Sequence, residues 1–77
     1  MNRSRRKELQ KAMELLEQAK EIIEAVKDEE QEAFDNMPES IQQSERGEAM
    51  EGYIGTMDEL CDSLSDAGDQ ISEIMEG

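Results

Sequence analysis

The sequence has few of the residues on which catalytic and metal sites depend. Among its 77 residues there is no histidine and no tryptophan, and there is one each of cysteine, proline, phenylalanine and tyrosine. Without histidine the chain lacks the commonest metal ligand and the usual general base near neutral pH. No nucleophile–base pair, zinc-ligand spacing or phosphate-binding glycine loop is present. We therefore expect a protein that is not an enzyme and has no metal or cofactor.

Two further shortages indicate where the chain resides. Cys61 has no second cysteine to pair with, which is typical of proteins in a reducing cytoplasm. No apolar run is long enough for a signal peptide or a membrane span. We expect a cytoplasmic protein, in which Cys61 lies in the apolar stripe as a buried small hydrophobic residue.

Basic residues are also scarce, because 8 lysines and arginines stand against 21 aspartates and glutamates, a net charge of −13. Such a charge is repelled by anionic membranes and by nucleic acid, so we expect direct binding to neither. High net charge usually indicates disorder. Here strong helical periodicity and a composition rich in Glu, Ala, Leu and Met favour helices, and residues typical of strands are too few for a sheet. The predicted fold class is all-α.

The periodicity predicts a single domain of two helices over residues 1–77. Helix one spans about 4–35, a turn spans about 36–40, and helix two spans about 41–75. Asn36 suits the end of a helix, and Pro38 disfavours helix at the residue before it. Ser40 has the spacing of a capping residue, and Ser44 is a second candidate. Three glycines between residues 47 and 55 predict an irregular or frayed start to helix two, unless this part packs against something.

Helix one carries an apolar arc that covers close to half of its circumference. A short connection makes the two helices antiparallel neighbours, but a two-helix hairpin needs a narrower arc than this. We expect the surplus to be covered by a second partner, most simply another copy. The predicted architecture is thus an antiparallel two-helix hairpin that assembles as a homo-oligomer, in the form of a dimeric four-helix bundle.

Helix two carries an acidic rail. Between Gly47 and Gly77 there are nine acidic side chains and no basic one, and at 100° per residue they fall within about one third of the helix circumference. Like charges at this spacing destabilise a helix, so the rail is either a solvated face or a surface that binds something positive. The candidate binding residues are Glu48, Glu51, Asp58, Glu59, Asp62 and Asp66.

Glu30 and Arg46 are expected to form a structural ion pair. Each stands at the centre of an apolar arc, and folding the chain about Pro38 brings the two opposite each other. An unpaired buried charge costs several kcal/mol, so each needs a partner. The pair either locks the register of the hairpin, or Arg46 instead serves with Tyr53 as part of an anion- and base-binding pocket at a subunit junction.

The amino-terminal basic arm, Arg3 to Lys7, is the other concentration of cations. Cations oppose the dipole at a helix N-terminus, as acidic residues do at a C-terminus. In an antiparallel hairpin the arm is expected to neutralise the end of the rail, Asp69 to Glu76. The alternatives are a contact with another subunit, or a contribution of Arg5 and Arg6 to a nucleotide pocket with Arg46 and Tyr53.

Residues 28–50, which include the turn and the step Ser44-Glu45-Arg46-Gly47, resemble a known group of proteins. These are small acidic helical proteins carried by phages and integrative elements of Gram-positive bacteria. The resemblance implies an accessory factor of a phage, for which counter-defence is a common role and the cytoplasm of an infected bacterium is the setting.

Three functions remain open at this stage. The first is a phage-type inhibitor whose acidic rail mimics nucleic acid and blocks a basic, nucleic-acid-binding host protein. The second is an oligomeric sponge that sequesters a small nucleotide immune signal at a subunit junction. The third is a structural or regulatory interaction module.

Overall fold

The protein is described by a computed structural model that covers residues 1–77. It contains three helices and no strand: α1 spans Arg3–Asp35, α2 spans Glu39–Gln42 and α3 spans Glu45–Glu76. The predicted all-α class is confirmed. The molecule is elongated, with principal extents of 58 × 15 × 12 Å.

Side-chain caps define where the long helices begin. The Asn2 side chain accepts a hydrogen bond of 2.8 Å from the backbone N–H of Arg5, so α1 begins one residue before the expected Ser4. It ends at Asp35 with Asn36 as its C-cap, as the sequence predicted. The peptide N–H of Gly47 donates to the Ser44 hydroxyl at 3.4 Å, and this cap starts α3.

The connection between the long helices is longer than the sequence predicted. Residues 39–42 form the separate one-turn helix α2, so the second long helix begins at Glu45 rather than at about residue 41. The Gln42 side-chain amide donates to the carbonyl oxygen of Phe34 at 2.8 Å, and the Ser44 hydroxyl donates to the carbonyl of Ile41. The first bond ties the connection to the end of α1, and the second joins Ser44 to α2 within the connection.

The glycine-rich start of α3 is regular helix, and it packs against α2, which is the condition under which the sequence predicted no fraying. Gly47 is buried, and a Cβ built on it would lie 2.6 Å from the Cα of Gln42, well inside the usual contact distance. The missing side chain lets α2 rest directly on the backbone of α3. Gly52 and Gly55 have no such neighbour within 4 Å.

α3 packs along α1 in the opposite direction. The Lys27 ammonium contacts the Asp58 carboxylate at 3.1 Å, and the Cys61 thiol donates to the carbonyl oxygen of Lys20 at 3.9 Å. Met13 of α1 and Ser72 of α3 line one groove between the helices. The contacts therefore pair lower residue numbers of α1 with higher residue numbers of α3, as in antiparallel packing.

The contact between the helices is too thin to make a closed core. Only Gly47 and Cys61 are buried, and the 5% exposure of Cys61 confirms the expectation for its side chain. Several large apolar side chains are instead at least 46% exposed. On the long helices these are Leu15, Ile22, Val26, Tyr53, Leu60 and Ile74.

Candidate binding surface

One side of the molecule is acidic along both long helices. On α3 the inward-facing residues include Met50, Met57 and Cys61, and in each case the next residue is acidic. A step of one residue turns a helix by 100°, which carries each acidic side chain to the same side of the molecule. The acidic residues placed there are Glu51, Asp58 and Asp62. Asp66 and Asp69 lie on the same side because each also follows a half-buried residue.

The same rule holds on α1, and this half of the surface was missed by the sequence analysis. Glu17, Glu24 and Asp28 each follow a half-buried residue. Because the helices are antiparallel, one step forward turns both of them toward the same side. Glu17 and Asp69 do line a common groove. We call this two-helix surface the acidic side. The helix wheel of α1, combined with the predicted antiparallel packing, was the signal that could have found it.

All six predicted rail residues are exposed, but their environments differ. Asp58 is engaged by Lys27, whereas none of the other five takes part in an ion pair. Glu59 points away from α1, because it is one further step past Asp58. The acidic side therefore presents mainly unpaired carboxylates to solvent.

The ion pair between Lys27 and Asp58 is the electrostatic link between the two helices. The hydrogen bond from Lys27 to the Asp58 carboxylate, and then the Coulombic attraction of that carboxylate, raise the pKa of Lys27 above its ordinary value. Asp58 is 65% exposed, so the pair is screened by solvent. It aligns the helices more than it stabilises them.

A groove interrupts the acidic side. It has a volume of about 240 Å³ and lies between Met13, Leu16 and Lys20 of α1 and Leu64 to Ser72 of α3. It exists because Ser65, Gly68 and Ser72 have little or no side chain to fill it. Glu17 and Asp69 stand at its edge, and the Lys20 ammonium lies 3.9 Å from Glu24. The groove is apolar at its base and acidic at its rim.

The expected ion pair between Glu30 and Arg46 does not form. Arg46 is exposed in the first turn of α3, and Glu30 is half-buried on α1. The three ion pairs of the chain join other residues. The physical reason is the extra helix α2, which delays the start of α3 and changes which residue comes opposite Glu30. Lys27 and Asp58 hold the register instead.

The residues of the alternative nucleotide pocket are not together within one chain. Arg46 and Tyr53 lie near the turn, while Arg5 and Arg6 lie in the first turns of α1, toward the opposite end of a molecule 58 Å long. Tyr53 is 62% exposed. A single chain therefore presents its tyrosine and its basic arm as separate surfaces.

The basic arm makes no ion pair with the end of the rail, contrary to expectation. The pairing of Lys27 with Asp58 places residue 77 near residue 8 of α1, so the arm extends past the end of α3. No ion pair involves Arg3, Arg5, Arg6 or Lys7. The arm instead borders a recess of about 320 Å³, formed by Met1, Ser4, Arg5, Glu8 and Leu9.

No group of three or more potential metal-binding side chains is arranged to hold an ion. None of the helices has the length and apolar character required to cross a membrane.

Comparison with known proteins adds no relative. No family model, curated protein or solved structure matches this chain.

Proposed function

We propose that this chain is a non-enzymatic binding protein whose acidic side occupies the basic groove of a nucleic-acid-binding protein. The observation that carries the proposal is the alignment of acidic residues from both α1 and α3 on one side, with most of them unpaired and exposed. Carboxylates three or four residues apart on a helix are roughly 5–6 Å from each other. Such a row resembles the phosphates of a nucleic-acid strand in charge and repeat.

The biological setting belongs to the same proposal. The chain acts as a phage-type accessory factor in the cytoplasm of an infected bacterium, where it counteracts a host defence protein that binds DNA or RNA. Its architecture is an antiparallel helical hairpin that assembles as a homo-oligomeric bundle. The exposed apolar side chains of the single chain support that assembly.

Two matched triple variants test whether the position of the charge matters. Glu51→Gln, Asp62→Asn and Asp66→Asn remove three charges from the acidic rail but spare Asp58 and its ion pair. The control removes three charges from the outer surface of α1, away from α3, by Glu14→Gln, Glu29→Gln and Glu32→Gln. Both variants have the same net charge, so a difference between them reports the acidic side itself.

The assay measures the release of a fluorescent DNA or RNA duplex from purified basic nucleic-acid-binding proteins as this protein is added. The wild type and the control are expected to displace the duplex at low salt, and the rail variant to lose most of this activity. The effect is expected to weaken steeply as salt rises, since screening shortens the range of exposed charges to about 10 Å at 0.1 M. Equal activity of the two variants would show that only net charge acts, and no displacement by the wild type would reject the proposal.

The nucleotide sponge is distinguished by a different readout. It requires a thermal shift on addition of cyclic or ADP-ribose-containing nucleotides that is lost in Arg46→Ala. A binding protein that acts through its acidic side shows no such shift. If neither ligand class binds, the chain is a structural or regulatory interaction module.

A further inference from the structure

The side of the molecule opposite the acidic side carries large exposed apolar residues on both helices. Every large exposed apolar residue of the long helices directly precedes an inward-facing one, as Leu15 precedes Leu16 and Leu60 precedes Cys61. One step backward turns both antiparallel helices away from the acidic side. We call the resulting surface the apolar face; it consists of Leu15, Ile22 and Val26 from α1 and Tyr53, Leu60 and Ile74 from α3.

The side of the molecule that carries the apolar face is large enough for a stable interface. The molecule is 58 Å long and 15 Å across. The area of this side is comparable to the roughly 800 Å² that each partner contributes to a standard protein–protein interface. Ile22 is 65% exposed, Leu15 64% and Tyr53 62%. Covering these side chains removes apolar surface from water along the whole length of the chain.

We propose that a second copy of this chain covers the apolar face in an antiparallel arrangement, with the two turns at opposite ends of the dimer. The two-fold axis passes close to Ala19 of α1 and Ala67 of α3. This proposal concerns the surface opposite the acidic side, so it stands whether or not the acidic side binds a protein.

The spacing of the apolar residues is symmetric about these two alanines. On α1, Leu15 and Ile22 lie at nearly equal distances on either side of Ala19. On α3, Leu60 and Ile74 each lie seven residues from Ala67. An antiparallel two-fold therefore packs Leu15 on the partner subunit's Ile22 and Leu60 on the partner subunit's Ile74. The small central alanines allow the helices to approach closely.

The charges select the antiparallel direction. Residues 28–51, around the turn, contain nine acidic side chains and one basic one, whereas residues 1–11 contain five basic side chains and one acidic one. A parallel dimer would place the two acidic turns together, and such like-charge contacts oppose association. The antiparallel dimer places each unpaired basic arm beside the acidic turn of the other copy.

The same arrangement gives Tyr53 a site. With the axis at Ala19 and Ala67, Tyr53 falls beyond the end of the partner's α3, at the level of the partner's basic arm. The recess of about 320 Å³ beside Arg5 and Leu9 lies there. Tyr53 of each copy would enter the recess of the other, and the partner's arm would approach the end of the molecule that carries Arg46.

A mass measurement with two matched variants tests the face. The protein is expected to have twice the chain mass by light scattering, and Ile22→Glu is expected to reduce it to a monomer. The control is Gln10→Glu, which adds the same charge at an exposed position that follows the half-buried Leu9 and so lies on the acidic side; it is expected to remain a dimer. Because Ile22 is already exposed in the single chain, circular dichroism should show that both variants stay helical. A monomeric wild type, or a dimeric Ile22→Glu, overturns the proposal.

Disulfide formation tests the direction. Ala19→Cys and Ala67→Cys are each expected to form a disulfide dimer under mild oxidation, because each residue lies next to its own copy at the two-fold axis. In a parallel dimer α1 would face α3 of the other copy, so neither variant would cross-link efficiently. Gln10→Cys, on the acidic side, measures random cross-linking, and the parent protein measures that of the buried Cys61. If Ala19→Cys and Ala67→Cys cross-link no more than Gln10→Cys, the antiparallel arrangement is wrong.

Discussion

Replacing Gly47 with alanine tests the contact that sets the angle between α2 and α3. The added methyl group would lie 2.6 Å from the Cα of Gln42 and closer still to its carbonyl group. These are backbone atoms, so the clash cannot be relieved by rotating a side chain. α2 would have to move, which would strain the bonds that tie the connection to α1.

The expected magnitude follows from two opposing effects. Overpacking of this kind costs about 1–3 kcal/mol, and a contact with backbone belongs at the upper end of that range. Alanine in place of glycine within a helix stabilises the folded state by roughly 0.5–1 kcal/mol. The net loss of stability is about 2 kcal/mol, which corresponds to a fall in Tm of roughly 10 °C for a domain of this size.

Gly52→Ala is the matched control. Gly52 also lies within α3, but a Cβ there has no neighbour within 4 Å, so only the helix-propensity gain remains. This variant is expected to raise Tm by about 4–8 °C per kcal/mol gained. Thermal unfolding by circular dichroism, at one protein concentration for all variants, measures both changes. A rise in Tm for Gly47→Ala like that for Gly52→Ala would refute the close contact between α2 and α3.

Two further predictions concern the contact between α1 and α3. In Asp58→Asn the pKa of Lys27, followed by NMR, should fall toward its ordinary value, because the hydrogen bond and the attraction of the carboxylate are lost. Because folding raises the pKa of Lys27, the pair contributes fully to stability below about pH 10.4. This contribution is lost as pH rises through the raised pKa. Asp58→Asn should lack this loss of stability at alkaline pH. The Cys61 thiol should react slowly with a thiol reagent in the folded protein and rapidly in denaturant, because only 5% of the residue is exposed; fast reaction in the folded protein would contradict its burial.

The sequence predicted the helices because their signals are local. The spacing of apolar residues, the side-chain cap of Ser44, the C-cap at Asn36 and the break at Pro38 act within a few residues of chain. The same holds for the acidic rail of α3, whose members lie on one face of a single helix. Cys61 was placed correctly for the same reason, since its position on the helix wheel marked it as inward-facing.

The tertiary structure decided which residues from different helices come together. The ion pair was expected between Glu30 and Arg46 but forms between Lys27 and Asp58, because α2 lengthens the connection and changes what lies opposite each residue. Local patterns carry no information about such distances across the molecule. The need for glycine at position 47 comes from a contact with the backbone of Gln42, five residues earlier, and depends on α2, which the sequence did not predict.

The sequence by itself determined an acidic rail, and the packing of α1 against α3 turned that rail into a two-helix surface with an apolar face behind it. Each helix wheel has an inward residue, an acidic residue one step after it and often an apolar residue one step before it. Whether those steps turn two helices toward the same side depends on the direction in which they pack. Because α1 and α3 run in opposite directions, the charges collect on one side of the molecule and the exposed apolar residues on the other.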